Sequence, residues 1–190
     1  MVLRAARREL STLPAVIDAH QHYYEPSANA FSSFLASLGA SAYTPADYRR
    51  DSAGVEVECT VHVEAMPDEG AAEASWLEGL VDAGECRIGA IVGNCKLPRM
   101  SAPQELSQLV AASPLLRGVR FILDHEGTFD GKNATHVAVT APGHGGVDFL
   151  RDPNVTSMFE RGFKLLAKHN LSFDLHEADR IKLAEWRKGM

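Results

Sequence analysis

Three cysteines, Cys59, Cys86 and Cys95, are all that this chain of 190 residues contains, and they form neither a CxxC pair nor any metal-type spacing. So sparse and odd a set excludes a disulfide framework and a cysteine-ligated zinc module, and it reads as reduced thiols in a cytosolic-type protein. No apolar run approaches the ~20 residues that cross a bilayer, so no membrane span is expected. Positive charge is also short: 19 Lys+Arg against 25 Asp+Glu leave a net charge of −6, with no footprint for nucleic acid. There is no GxGxxG and no GxxxxGKS/T, and no repeat or low-complexity tract. With 45% hydrophobic and 23% charged residues the chain is globular, long enough for one sizeable core and too short for two comfortable domains. Residues 1–14 read as an N-terminal extension. Arg4, Arg7 and Arg8 precede the first acid, Glu9, but the stretch is short and lacks a signal-peptide apolar core. The expected location is cytoplasmic, with an organellar transit peptide as the alternative.

What is present, over 15–190, is an alternation of strand and helix patterns that predicts an α/β fold with a largely parallel sheet. Strands are expected over 15–20, 59–65, 88–95, 116–123 and 171–176. Helices are expected over 68–81, 103–112, 153–170 and 179–188. Leu106, Leu109 and Val110 form the packed stripe of the second, and Met158, Phe159, Phe163, Leu166 and Ala167 that of the third. Phe31, Phe34, Leu35 and Leu38 show helical spacing in a Ser/Ala-rich stretch, and a long Gly/His/Thr loop over 124–146 follows the fourth strand. Five βα units are too few for a closed (β/α)8 barrel, which needs eight strands and typically ~250 residues. An open doubly wound sheet would show a Gly-rich phosphate loop after an early strand. The reading is a partial (β/α)8 TIM barrel.

The sharpest chemical signal is Asp18-Ala19-His20-Gln21-His22, where the first strand ends. Side chains two apart on a strand share a face, so His20 and His22 can bite one metal ion or flank one substrate oxygen. Val16 and Ile17 just upstream read as buried hydrophobe. On the second strand His62 and Glu64 alternate with Val61, Val63 and Ala65, suggesting a polar inner face. His62 reads as a structural hydrogen-bonding residue, whereas Glu64, nearer the strand end, leans to the site. On the fourth strand Arg120 shares a face with Gly118 and Ile122. Buried there, it needs a partner, either a substrate carboxylate or an internal acid such as Glu64. On the fifth, Ser172, Asp174 and His176 alternate with Leu171, Phe173 and Leu175, and His176 closes the strand at the end that carries catalysis in a barrel. His125, His136 and His144 read as surface residues, and His169 as a helix-end cation suited to the dipole.

In this order the segments IDAHQH, VHVEA with Glu73 and Trp76 on the helix after it, IVGNCKL, LLRGVRFIL and LSFDLH resemble the amidohydrolase-related family. These are TIM-barrel hydrolases of the amidohydrolase superfamily, and the nearest branch is similar to lactonases and dicarboxylate-lactone hydrolases. The resemblance spans Val16 to about Trp186. It implies hydrolysis of a lactone, ester or amide carbonyl of a small, carboxylate-bearing substrate, with decarboxylation as a related chemistry. It also implies that His20, His22 and His176 hold a divalent metal, zinc by preference, although some members of the branch use none. Glu64 and Arg120 match pocket-lining positions, Arg120 as clamp for a substrate carboxylate and His176 as a catalytic group on the carbonyl. The family's sixth-strand histidine and eighth-strand aspartate, the general base, have no counterpart before Met190. The chain alone is therefore expected to be inactive: a fragment of a longer enzyme, a truncated barrel completed by a second copy or another chain, or else a non-catalytic remnant or interaction protein.

Overall fold

The computed structural model describes residues 14–25, 35–36, 39–123, 149 and 152–174. Five parallel strands lie side by side in chain order: β1 (Val16–Gln21), β2 (Val57–Val63), β3 (Ile88–Asn94), β4 (Leu116–Arg120) and β5 (Ser172–Asp174). Between them run α1 (Pro45–Asp51), α2 (Gly70–Asp82), α3 (Ala102–Ala112) and α4 (Pro153–Lys168). Parallel neighbours cannot be joined by a hairpin, so each connection returns the chain along the sheet, and a helix is the usual means. The helices expected over 68–81, 103–112 and 153–170 are α2, α3 and α4. The N-terminal extension, the loop over 124–146, the helix over 179–188 and most of the Phe31–Leu38 stretch lie outside the described residues. No described helix is long and apolar enough to cross a membrane.

The core fills the space between the sheet and the helices. Leu77, Ile91, Leu106, Leu109, Val119 and Phe159 have no exposed surface, and burying such side chains stabilises by about 1.5–3 kcal/mol each. Val119, Phe121 and Leu123 belong to this core, as their alternation predicts. Two helix expectations are corrected: Val110 is 37% exposed and Ala167 is exposed. Each follows a buried leucine by one residue, which turns it some 100° off a narrow buried stripe. A larger correction concerns β1, where Val16 and Ile17 are 38% and 59% exposed rather than buried. Among the described residues β1 pairs with a strand on one side only, so its apolar residues have less to pack against.

The short helix α1 has no hydrophobic period to announce it. Its signal is its start. Thr44 is the N-cap, its hydroxyl accepts from the Asp47 backbone N–H at 3.5 Å, and the Asp47 carboxylate accepts from the Thr44 N–H at 2.9 Å, with Pro45 in the first turn. Those bonds to Thr44 hold the Asp47 carboxyl down at about 2. Replacing the cap, Thr44→Ala, is expected to destabilise by about 1 kcal/mol. The urea midpoint should fall at unchanged slope, and an unmoved midpoint would show that α1 does not depend on this cap.

Candidate active site

Because the strands are parallel, their C-terminal ends share one edge of the sheet, where α/β folds place their chemistry. Here that edge carries His20, His22, Glu64, Asn94 and Arg120. Asp18 anchors the first of these segments: its carboxylate accepts from the Tyr48 hydroxyl of α1 at 2.8 Å and from the His20 N–H at 3.1 Å. Beyond it, Tyr24 and Tyr43 exchange backbone hydrogen bonds at 3.0 and 2.8 Å.

His20 and His22 converge as their spacing predicts, with Nε2 to Nε2 at 3.1 Å. The His22 Nδ1 lies 2.7 Å from the Val63 carbonyl oxygen. A carbonyl only accepts, so Nδ1 carries the proton and Nε2 presents a bare lone pair. Burial holds the His22 imidazole down at about 4, against the pull of the Val63 carbonyl, so it is neutral at pH 7. A hydrogen bond from a ring N–H to a carbonyl is the usual way a metal-ligating histidine is oriented. Two nitrogens this far apart and each about 2.1 Å from one ion subtend about 95–100° at it, within reach of zinc geometry. The donor chemistry thus fits a divalent ion. Among the described residues no group of three or more His, Cys, Asp or Glu converges, and His176, the expected third imidazole, lies outside them.

Glu64 has no exposed surface and Arg120 is 9% exposed. The Arg120 Nε donates to Glu64 Oε1 at 2.7 Å and its Nη2 to the Glu64 carbonyl at 2.7 Å. Of the two partners open to Arg120, the internal acid is the one it holds. The other Glu64 oxygen accepts from the Met66 N–H at 2.8 Å and from the Asn94 side chain at 3.3 Å. Met66 reaches back only by adopting a left-handed φ of 55°, a conformation that costs a non-glycine residue of order 1 kcal/mol or more. Burial pushes the Glu64 carboxyl up to about 7, with Arg120 pulling the other way and Glu73 adding to the rise.

His62 and Glu64 do not share the polar face expected of them. His62 pairs in register with Ile91, a core residue, and its Nε2 is 3.5 Å from Glu73 of α2, while Glu64 bends to Arg120 where β2 ends. The strand alternation is lost at Glu64 because regular β2 stops at Val63. The His62 Nδ1 accepts from the Tyr23 N–H at 3.3 Å and lies 3.4 Å from the Gln21 amide nitrogen, so its structural reading holds. Gln21, Tyr48 and Asn94 were not singled out in the sequence. Asn94 was findable, an amide where the apolar run of β3 stops at the same edge.

A cavity of about 740 Å³ lies elsewhere, lined by Tyr23, Tyr48, Arg49, Cys59, Cys86 and Arg87 among others, and it contains none of His20, His22, Glu64, Asn94 and Arg120. It borders the start of β2 and the approach to β3, the end of a parallel sheet that does not carry chemistry. The convergence of His20 and His22 outweighs its volume.

No family model and no curated protein sequence matches this chain. Among solved structures it is similar to an amidohydrolase from Burkholderia multivorans crystallised with bound zinc. The two are 23% identical, with 85% of this chain and 48% of that one covered, at a TM-score of 0.51. The fold is that of part of a (β/α)8 barrel. Also similar are a probable 2-pyrone-4,6-dicarboxylic acid hydrolase from Acinetobacter baumannii with citric acid bound (14% identity, 86% of this chain and 49% of that one, TM-score 0.49) and amidohydrolase 2 from Bifidobacterium longum subsp. infantis (21% identity, 85% and 51%, TM-score 0.49). The chain spans about half the length of each. The α/β architecture expected from the strand and helix alternation is therefore the one found, a five-stranded portion of the barrel.

Proposed function

We propose that this chain carries the first-strand half of a metal site in an amidohydrolase-superfamily hydrolase, one that acts on a lactone, ester or amide carbonyl of a small carboxylate-bearing substrate. The observation that carries this reading is the convergence of two histidine Nε2 atoms at the C-terminal edge of the sheet, with the His22 tautomer set by the Val63 carbonyl. In this reading His20, His22 and His176 hold a divalent ion, zinc. When bound, such an ion polarises a carbonyl oxygen and acidifies water. Val63 keeps the His22 lone pair aimed at the site. Glu64 fixes the guanidinium of Arg120, whose remaining N–H edge meets a substrate carboxylate. His176 also contacts the carbonyl under attack.

Zinc titrated into the full chain against a chromogenic chelator is the test. His20→Ala and His22→Ala are each expected to weaken zinc by at least about tenfold, since even the groups that orient metal ligands are worth that much. Equal affinity in the parent and both variants would sink the reading. A second reading, a barrel module that binds without turnover, is favoured by the way Glu64 occupies two nitrogens of Arg120. Zinc-saturated lactone hydrolysis no faster than that of His20→Ala supports it.

A further inference from the structure

We propose that the groove between the start of α3 and the outer face of α4 is a docking site for an acidic, amphipathic protein segment. The groove encloses about 460 Å³. Its rim is Arg99, from the loop after β3, with Arg161, Lys164 and Lys168 of α4, and its floor includes Met100, Met158 and Leu165. This surface is remote in role from the histidine edge and independent of the hydrolase reading.

Charge is the first argument. The described residues include 17 Asp and Glu against 10 Lys and Arg, yet four of those ten cations and none of the acids line this groove. Arg161, Lys164 and Lys168 are spaced i, i+3 and i+7, which puts them on one side of α4. None of the four cations forms an ion pair among the described residues. On its other side Arg99 borders a small recess lined by Asp68, Glu69 and Glu105, where Glu105, in the first turn of α3, is held by the Ser101 hydroxyl at 2.6 Å and the Lys96 N–H at 3.2 Å. Glu160, next to Arg161 in sequence, is not part of the lining. The positive end of α3 opens at the same place and adds to the field.

The floor is the second argument. Met100 is 72% exposed, the most exposed of the large apolar side chains among the described residues, and the Arg161 Nη2 lies 3.0 Å from its sulfur. Exposed thioethers make an adaptable apolar surface, suited to receiving a partner's side chains. The walls are preformed, because Gly162 lets the α4 backbone press on the Leu97 carbonyl while Phe159 and Leu166 on the same face of the helix are buried in the core. A free phosphate would use the cationic rim and leave the floor wet, and a planar bilayer would not reach into a recess. A segment with Leu or Phe on one face and Asp or Glu on its flanks uses both, in the manner of a helix laid in a groove.

The test is fluorescence anisotropy with the full chain and an end-labelled helical peptide of Leu and Glu, its leucines on one face. Binding is expected, weakening as salt rises. The double variant Arg161→Glu/Lys164→Glu should lose at least about tenfold in affinity, and Met100→Gln several-fold, both with unchanged thermal melts because the residues are exposed. A scrambled peptide of the same composition should bind at least about tenfold less well, and one with Lys in place of Glu not at all. The proposal is overturned if the peptide fails to bind the parent chain, if the scrambled peptide binds equally well, or if the charge reversals leave affinity unchanged. It is equally overturned if inorganic phosphate or phosphatidylserine vesicles displace the peptide at concentrations below its own.

Discussion

Arg120→Met is expected to destabilise the fold by about 3–5 kcal/mol at pH 8 and by much less at pH 5. The larger figure is the usual consequence of removing one partner from a buried ion pair and stranding the other. Glu64 would keep the Met66 N–H and the Asn94 amide but lose the only cation hydrogen-bonded to it among the described residues. The pH dependence follows from the Glu64 carboxyl, which burial raises from 4.5 to about 7. Between those values the folded state holds a proton that the unfolded state has released. The stability tied to this group is therefore fully present below about 4.5 and is lost as pH rises through about 7. Without Arg120 the carboxyl rises further and the loss extends above pH 7, so the gap between parent and variant widens with pH. His22 titrates oppositely: its folded value is lowered from 6.5 to about 4, so its contribution is lost as pH falls through that window. That term is common to both proteins, and Arg120 is a lesser cause of it than burial. The check is urea unfolding at the two pH values, with Arg120→Met/Glu64→Gln as companion. The neutral pair should recover most of the loss. Equal destabilisation at both pH values, or no recovery, would show that the ion pair does not govern this edge.

Gly162→Ala is expected to cost about 1–3 kcal/mol, where alanine for glycine inside a helix ordinarily gains nearly 1 kcal/mol. A β-carbon at 162 would sit 2.9 Å from the carbonyl carbon of Leu97 and closer still to its oxygen. Backbone cannot rotate aside as a side chain can, so α4 must back away from the loop after β3 and loosen Phe159 and Leu166. Gly70→Ala meets the Asn94 carbonyl in the same way, at the foot of α2. The control is Gly79→Ala in α2, where a β-carbon meets nothing within 4 Å and should raise stability by roughly 0.5–1 kcal/mol. Thermal melts of the variants decide the matter. If Gly162→Ala stabilises as Gly79→Ala does, the close approach of α4 to Leu97 is not a feature of the protein in solution.

Which parts of this were readable in advance has a physical pattern. Strand and helix positions were legible because the apolar periods of β2 to β4 and of α2 to α4 are strong and each is bounded by turn residues. His20 and His22 were legible because a spacing of two on a strand fixes a shared face whatever surrounds it. The burial of Val16 and Ile17 was misjudged because hydrophobicity records what a residue prefers, and coverage depends on which neighbours a strand has. The Glu64–Arg120 bond could be offered only as one of two options. Alternation names the face a residue occupies, and the partner across three strands depends on register and on where β2 ceases to be regular. The polar edge was visible residue by residue, and the distances between its groups were not.

Sheet neighbours here are also chain neighbours, and that has a consequence in time. Each strand that arrives finds the preceding strand as its template, so the sheet can grow by accretion, one crossover connection closed after another. The bond between Glu64 and Arg120 breaks that order. It spans 56 residues and passes over β3, so it cannot form until β4 has docked. It is a latch that closes late, tying the second strand to the fourth only after the third has been captured between them.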